Sequence, residues 1–387
     1  MAMPSIEEED AIINVTQARE PNWDPKCCIY RVPQRLRNVN KKAYTPKLIS
    51  IGPVHHNNGE LKGMQEQKEI CSNVFFSRIC KSQDEFKCVI KKNEDEIRRC
   101  YAGGISQPKD FLDIILLDSI FIIELFLRNY EGQRDEMDYI LSKSCLKNGI
   151  MQDLILLENQ LPFFILDRLY DQSGFTGIRK GFLTVACNFF FDHKELSIDE
   201  MRGVRHFTDL QRHFYHPPKR RFAEHPTGQP HSATKLNTRG LIFEKLEPQG
   251  QKQEKNSLDE KRYLLYIKFK DNSKICPCIC RWPTVCLKSF PSLKRLQTRL
   301  LIPEFVVDNG TEELFRNLMA LEQCHYPDDA YICDYIKLLD FLINSEEDVE
   351  LLIDKRIIVN LLGSNTEVAK MINRLLREIV ETKSYYS

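Results

Sequence analysis

A nearly continuous apolar run from Phe111 to Leu127 constrains the fold of this chain more than any other feature. At about 17 residues it lies at the short limit for a helix that spans a bilayer. It also contains Asp113, Asp118 and Glu124, and a carboxylate at the centre of a membrane helix costs several kcal/mol. The run therefore predicts a helix buried in a globular core, with Asp110 as its N-cap.

A second apolar run, residues 154–169, is interrupted by polar side chains and a proline. Because Pro162 lacks a main-chain N–H, a helix has to kink or restart there. We interpret Glu158, Asn159 and Gln160 as groups that satisfy main-chain atoms left without partners by this break. The alternative interpretation is a polar pocket in a helical surrounding.

The remaining segments predict the fold class. Residues 29–56 are rich in Pro, Arg and Asn and should be irregular, whereas residues 64–101 have the pattern of exposed amphipathic helices. Residues 217–262 predict loops, with short strands at 240–246 and 263–269. We therefore expect a mainly α, multi-helix globular domain with a small β element near residues 230–270.

Helix-start signals recur in the C-terminal part of the chain. Thr311 precedes two glutamates and is expected to cap a helix. Ser345 and Ser364 each precede an acidic residue by three positions, which is the capping-box pattern. After the second box, apolar residues at helical spacing predict one amphipathic helix over residues 368–379, with its apolar stripe packed on the core.

Four segments occur in an order typical of one plant family. They are residues 29–56, 116–125, 153–164 and 302–323, and together they resemble the family named domain of unknown function 247 over about residues 27–380. Their family-motif residues have a structural or interaction role that the resemblance does not specify. These residues are Arg31, Pro33, Gly52, Pro53, His55, His56, Asp118, Glu158, Asn159, Gln160, Pro162, Arg316, Asn317, Glu322 and Gln323.

The resemblance implies a mostly helical fold and supplies no catalytic or cofactor-binding residues. Members are associated with reproductive development and with self-recognition in pollination, so it implies a recognition factor with protein partners. This chain departs from the family pattern at Val54 and at Ser119-Ile120, and residues 270–300 resemble an insertion. We expect a flexible acidic arm over residues 1–25 and one helical domain over residues 26–387.

Two clusters of potential metal ligands fit the spacing of known metal sites poorly. Cys276, Cys278, Cys280 and Cys286 are separated by gaps of one, one and five residues, whereas structural zinc sites use cysteines two to four residues apart. We interpret them as free thiols. Five histidines lack companion cysteines, and we interpret them as solvated or capping groups; they are His206, His213, His216, His225 and His231.

Three further motifs have a structural interpretation. Asp328 and Asp329 suit the positive end of a helix, and Asp334 is misplaced for sharing a metal ion with them. We interpret Lys219–Arg221 as a solvated loop. For His55 and His56 we favour a turn in which the imidazoles bond to main-chain carbonyls. No cofactor is expected, and the alternative to a recognition factor is an enzyme using acids such as Asp118 or Asp329.

Charge and cysteine usage predict the location. The chain has 55 basic residues (lysine and arginine) and 55 acidic residues (aspartate and glutamate), so its net charge is zero. No overall electrostatic field therefore attracts nucleic acid or an anionic membrane. The acidic N-terminus lacks the pattern of a secretory signal, and several cysteines lie in apolar runs. We expect a cytoplasmic protein, with indirect membrane association through a partner. Family members commonly end in a membrane span, so the alternative is a membrane-tethered scaffold at the plasma membrane.

Overall fold

The computed structural model describes residues 24–103, 110–132, 138–175, 181–191, 203–215, 231–246, 267–270 and 298–380. The acidic arm predicted for residues 1–25 and the insertion predicted for residues 270–300 lie almost entirely outside these ranges. So do Lys219–Arg221 and the cysteine cluster at residues 276–286.

The described chain is mainly helical, as the sequence predicts. The helices before residue 240 are α1 (Gln34–Val39), α2 (Gln65–Arg78), α3 (Gln83–Lys92), α4 (Glu94–Arg99), α5 (Phe111–Glu131), α6 (Ser144–Leu154), α7 (Phe163–Ser173), α8 (Gly181–Phe191), α9 (Phe207–Tyr215) and α10 (Ala233–Thr238). Those after residue 310 are α11 (Thr311–His325), α12 (Tyr331–Leu342), α13 (Glu346–Asp354) and α14 (Asn365–Leu375).

Helix α5 lies at the centre of a first hydrophobic core, which confirms the buried helix predicted for residues 111–127. It packs against α2, α3, α7 and α8. Near its end, Phe126 stacks on Phe189 of α8 with ring centroids 4.2 Å apart. Asp110 occupies the N-cap position, as predicted, although its side chain makes no capping hydrogen bond.

A second hydrophobic core is built from α11 to α14 and short strands. Strands β1 (Ile242–Lys245), β2 (Lys268–Lys270) and β3 (Arg299–Ile302) form a sheet in the order β1-β3-β2. Strand β3 runs parallel to β1 and antiparallel to β2. The small β element is therefore confirmed, although β3 was not predicted.

A separate pair of strands was also not predicted from the sequence. Strand β4 (Phe305–Val307) runs parallel to β5 (Ile358–Asn360), with Val306 opposite Val359. Phe305 and Val307 are buried in the second core, and Val306 between them is exposed.

A third cluster of apolar side chains connects the N-terminal segment to the rest of the fold. Tyr30 and Tyr44 pack there with Leu157, which precedes the Pro162 break, and with Leu321 of α11. The segment over residues 29–56 contains only α1 and a 3-10 turn at Lys41–Tyr44, so it is largely irregular, as expected. Ile29, Ile49 and Ile51 of the same segment pack in the first core, so an irregular segment becomes well packed.

The predicted helix starts are confirmed in part. Ser345 forms the capping box with Asp348. Ser364 is an N-cap without a side-chain hydrogen bond, and Thr311 is the first residue of α11 because Gly310 occupies the N-cap. Helix α14 ends at Leu375 and not at residue 379, since the chain turns there and Glu378 takes a φ of 66°.

Candidate functional site

Residues 45–56, called here the anchored segment, contain no helix or strand. Main-chain N–H groups of this segment donate hydrogen bonds to buried side chains. The Asp153 carboxylate accepts from Lys47, Leu48 and Ile49 at 2.9, 2.6 and 2.8 Å. A carboxylate that accepts several N–H groups replaces the hydrogen bonds that a sheet would supply. The end of α6 therefore fixes the start of this segment.

Asp118 and Asn159 continue this arrangement along the anchored segment. Asn159 Oδ1 accepts the N–H of Ile51 at 2.6 Å, and Asp118 Oδ2 accepts the N–H of Gly52 at 2.8 Å. Gly52 has a φ of 72°, and a Cβ there would lie 2.5 Å from the carbonyl oxygen of Gln160. Only glycine fits this position, because other residues would clash and would have to adopt a left-handed backbone.

A buried ion pair closes the same region from the side of α2. Lys68 Nζ donates to Asp118 Oδ1 at 2.5 Å and to the carbonyl of Ser50 at 2.6 Å, and both side chains are almost completely buried. Burial raises the pKa of Asp118, and this effect exceeds the opposing effect of Lys68. Asp118 is thus bound on both oxygens by groups of the protein itself.

Glu158 joins the first and third family-like segments. Its buried carboxylate accepts the N–H of Val32 at 2.6 Å and pairs with Arg37. Arg31 Nη1 and His55 Nε2 lie 3.8 and 3.5 Å from it, which are ion-pair distances. Burial raises the pKa of Glu158, but His55, Arg37 and the Val32 N–H outweigh it, so the pKa lies below its ordinary value.

The amides beside Glu158 satisfy main-chain carbonyls at the helix break, as predicted. Asn159 Nδ2 donates to the carbonyls of Ile49 and Asp153 at 3.0 and 2.9 Å. Gln160 Nε2 donates to two carbonyls near the end of α6, and its Oε1 accepts the N–H of Phe207 at 2.9 Å. Pro162 is the N-cap of α7, so the chain restarts its helix there.

The fourth family-like segment is fixed to the others through α11. Asn317 is completely buried; its Oδ1 accepts the N–H of Leu157 at 3.0 Å, and its Nδ2 donates to the carbonyl of Ala43 at 2.7 Å. Arg316 donates to Glu312 and to the carbonyl of Arg374. These contacts hold α11 against the N-terminal segment and α14.

Two further motif residues lie at the other end of α11. Glu322 is fully buried, pairs with Arg212 of α9 at 3.1 Å and accepts the N–H of Cys333 at 2.9 Å. Burial raises the pKa of Glu322 to about 7, although Arg212 opposes this. Gln323 exchanges two hydrogen bonds, each 3.0 Å long, with the main chain of Val380.

The remaining motif residues lie at a helix start, in a bend or near the buried carboxylates. Pro33 is the N-cap of α1, and Pro53 lies half-buried in a bend. His56 is close enough to Asp118 to lower the pKa of that carboxyl. The expectation that the His55 imidazole bonds to a main-chain carbonyl was wrong, because its Nε2 faces Glu158.

The histidines and aspartates that the sequence singled out lie in separate places. His206 is buried, and its Nδ1 accepts the N–H of Asp209 at 3.3 Å, so it caps α9 as one interpretation predicted. His216 and His225 lie outside the described residues. Asp329 lies in the turn before α12 and pairs with Arg212 at 3.2 Å. Within the described ranges, no group of three or more potential ligands could hold a metal ion.

Three cations of this interior were missed by sequence reasoning: Lys68, Arg37 and Arg212. A signal existed for Lys68, because it stands three and seven residues before Cys71 and Phe75, which the helical repeat places on the same apolar face. For the two arginines the partners are remote in sequence, so spacing gives no signal.

An open groove of about 350 Å³ lies where the two large cores meet, and is called here the β4 groove. Its walls come from α6, α8, α9, β4 and the first turn of α11. They are mostly apolar and include Ile155, Phe190, Tyr215, Val306, Leu314 and Phe315 together with the polar residues Gln152, Gln211, Glu304 and Asp308.

A helix that spans a bilayer needs about 20 consecutive, mainly apolar residues. In the described part of the chain, none is both long and apolar enough to cross a membrane.

Comparisons with known proteins agree with the four family-like segments. The family described as plant protein of unknown function, DUF247, matches residues 29–387. UPF0481 protein At3g47200 of Arabidopsis thaliana is 30% identical over 363 residues, covering 92% of this chain and 73% of the relative. Putative UPF0481 protein At3g02645 of the same plant is 25% identical over 431 residues, covering 92% and 79%. No solved structure gives a significant match. The chain therefore belongs to the plant family named domain of unknown function 247.

Proposed function

We propose that this protein is a plant interaction factor whose surface recognises other proteins. The observation that carries the proposal is that the carboxylates of the family motifs bind groups of the same chain. The motif carboxylates Asp118, Glu158 and Glu322 are buried and bound by cations and main-chain N–H groups of the same chain. General acid–base catalysis needs a carboxyl within reach of a substrate, and these three are occupied by the fold.

Apolar side chains supply the complementary observation at the surface. Val306, in the middle of β4, and Leu361, directly after β5, are 45% and 61% exposed. Exposed apolar groups next to a concave surface are typical of protein-binding sites. A role in reproductive signalling or self-recognition rests on the family resemblance, and it directs the choice of tissue for a test.

Affinity purification from reproductive plant tissue tests the proposal. The tagged full chain is expected to recover the same partner protein in independent preparations, as quantified by mass spectrometry against the tag alone. The matched comparison uses leaf tissue with the same bait. A bait that stays folded and recovers no reproducible partner from either tissue would contradict the proposal.

We also propose a cytoplasmic location. Cys27, Cys71 and Cys333 are buried free thiols in the described ranges, as suits a reducing compartment. A fluorescently tagged full chain should therefore appear in the soluble fraction after cell lysis. Carbonate-resistant recovery in the membrane pellet would contradict this and would favour the plasma-membrane alternative.

A further inference from the structure

Strand β4 has one edge that the described residues leave open. Phe305 donates its N–H to the carbonyl of Ile357, and Val307 accepts the N–H of Leu361, so both residues turn their main-chain groups toward β5. Successive residues of a strand alternate in direction, so the N–H and C=O of Val306 point away from β5. An edge of this kind is a template for another extended chain.

The outer face of β4 has an alternating pattern of charge. Glu304, Val306 and Asp308 are exposed, while Phe305 and Val307 between them are buried. Glu304 already pairs with Lys245 at 2.5 Å. Asp308 Oδ1 accepts the N–H of Gly310 at 2.9 Å and the hydroxyl of Thr311 at 2.8 Å, and the residue is exposed. The exposed side therefore has a carboxylate before the strand, which also contacts Lys245, an apolar side chain within it and a second carboxylate after it.

The β4 groove begins directly beside this edge. Its volume of about 350 Å³ falls within the range of about 300–1,000 Å³ that binding pockets occupy. Phe190, Leu314 and Phe315 supply apolar walls, and among the described residues no lysine or arginine lines it. Burial and the neighbouring Asp308 raise the pKa of Tyr215 to about 12, so its hydroxyl stays protonated.

We infer that the β4 edge and groove bind an extended segment of a partner protein in which an apolar residue stands between two basic residues, each two positions away. The segment pairs with the main chain of Val306, places its apolar side chain in the groove and faces Glu304 and Asp308 with its basic side chains. Cross-strand pairs of opposite charge stabilise such an addition, and like charges oppose it. This inference rests on the proposed function and specifies its surface.

Charge also argues against a second copy of this chain as the occupant. If two β4 edges paired antiparallel through Val306, Glu304 of one copy would face Asp308 of the other. Two like charges directly opposite each other destabilise the pairing. The groove therefore selects a basic segment over its own acidic strand.

A peptide-binding measurement on the full chain tests the inference. The probe is a fluorescent, end-capped peptide with the central sequence Lys-Thr-Leu-Thr-Lys, and the control probe has glutamates in place of the lysines. We expect saturable binding of the basic probe, weakened by salt, and at least about tenfold weaker binding of the acidic probe. No binding of the basic probe at millimolar concentration, or equal binding of both probes, would overturn the inference.

Val306→Pro provides the matching change in the protein. Proline removes the outward N–H and is tolerated on an edge strand, whereas the hydrogen bonds to β5 belong to Phe305 and Val307. Val306→Pro should weaken the basic probe about tenfold, and Val306→Thr, which keeps the N–H, should weaken it less. Unchanged affinity of a Val306→Pro variant with native circular dichroism would overturn the inference, as would preferential binding of small apolar ligands that exclude the peptide.

The same variant separates this inference from the proposed function. If a tissue partner is recovered equally by the wild-type chain and by Val306→Pro, the protein is an interaction factor but this surface is not its site. If neither bait recovers a partner, the proposed function itself fails. Loss of the partner by Val306→Pro alone supports both.

Discussion

The anchored segment and strand β4 are both short stretches of chain outside any large sheet, yet their main-chain groups differ in whether the fold binds them. In the anchored segment, buried Asp153, Asn159 and Asp118 accept the N–H groups one after another. In β4, Val306 turns its N–H and C=O away from its only strand partner in the described residues, beside an apolar groove. The first arrangement fixes an irregular segment inside the fold; the second leaves a strand able to accept a partner.

This difference assigns most family-motif residues to the interior. A residue whose polar atoms are all bound within the chain contributes to folding, and its loss should reduce stability. A residue on the outer face of β4 should affect binding and leave stability nearly unchanged. The following variants test this division, from the largest expected change in stability to the smallest.

Lys68→Met should have the largest effect. It leaves the Asp118 carboxylate buried without its cation, and removing one partner of a buried pair costs about 3–5 kcal/mol. Urea unfolding measures the loss, and Asp118→Asn in the same chain should restore part of it. Lys370→Met, at an exposed pair with Glu367, is the control and should be nearly neutral. A loss below about 1 kcal/mol for Lys68→Met would mean that the pair is not an essential part of the interior.

His206 should make stability depend on pH. Burial lowers its pKa from 6.5 to about 4, and this effect exceeds the opposing effects of the Asp209 carboxylate and of the hydrogen bond to the Cys28 carbonyl. The unfolded chain binds the proton more readily, so this contribution is complete above pH 6.5 and is lost as the pH falls toward 4. It amounts to about 3 kcal/mol. His206→Asn keeps a side-chain acceptor at the N-cap without titrating, so the difference between the two pH profiles should change across this window; parallel profiles would contradict the assignment.

Glu158→Gln should reduce stability by a smaller amount. At this position the charged form of the side chain is the stabilising one, whereas at His206 it is the neutral form. The lowered pKa of Glu158 means that the charged form is favoured in the folded state, so its stabilisation is present above the ordinary carboxyl pKa of 4.5 and disappears as the pH falls below it. At neutral pH the variant should lose about 1.5–3 kcal/mol, with convergence toward wild type in acid. Glu378→Gln, at the exposed pair with Arg35, is the control. An equal loss at all pH values would show that shape, and not charge, is what matters at this position.

Leu361→Thr should have the smallest effect on stability. The side chain is 61% exposed, and surface substitutions of this kind change the free energy of unfolding by about 0.5 kcal/mol or less. The same substitution at the fully buried Leu318 should cost several times more. If thermal or urea unfolding shows equal losses of unfolding free energy at the two leucines, Leu361 belongs to the core and not to the surface beside β4.

The sequence predicts those parts of the fold whose causes are local. Helix α5 follows from its apolar run, the restart of α7 from Pro162, and the start of α13 from the Ser345 capping box. The amides of Asn159 and Gln160 were also interpreted correctly, because a proline break leaves carbonyls that need donors. In each case the signal and the structure lie within a few residues of each other.

The rest depends on contacts between remote segments. Strands β4 and β5 are only three residues long and pair across about fifty residues of helix and turn, so no periodicity could develop in them. The partners of Glu158 come from residues more than a hundred positions earlier. The groove is a product of the same long-range packing, since α6, α8, α9 and α11 each supply part of its wall.

Hydrogen exchange of the anchored segment tests the central claim most directly. The amides of Leu48, Ile49, Ile51 and Gly52 belong to no helix or strand, and each donates to a buried side chain. They should therefore exchange as slowly as core amides of α5, whereas the amide of the exposed Asn57 nearby should exchange quickly. Exchange of all five at the rate of an ordinary loop would contradict the claim that the family-motif residues hold this segment inside the fold.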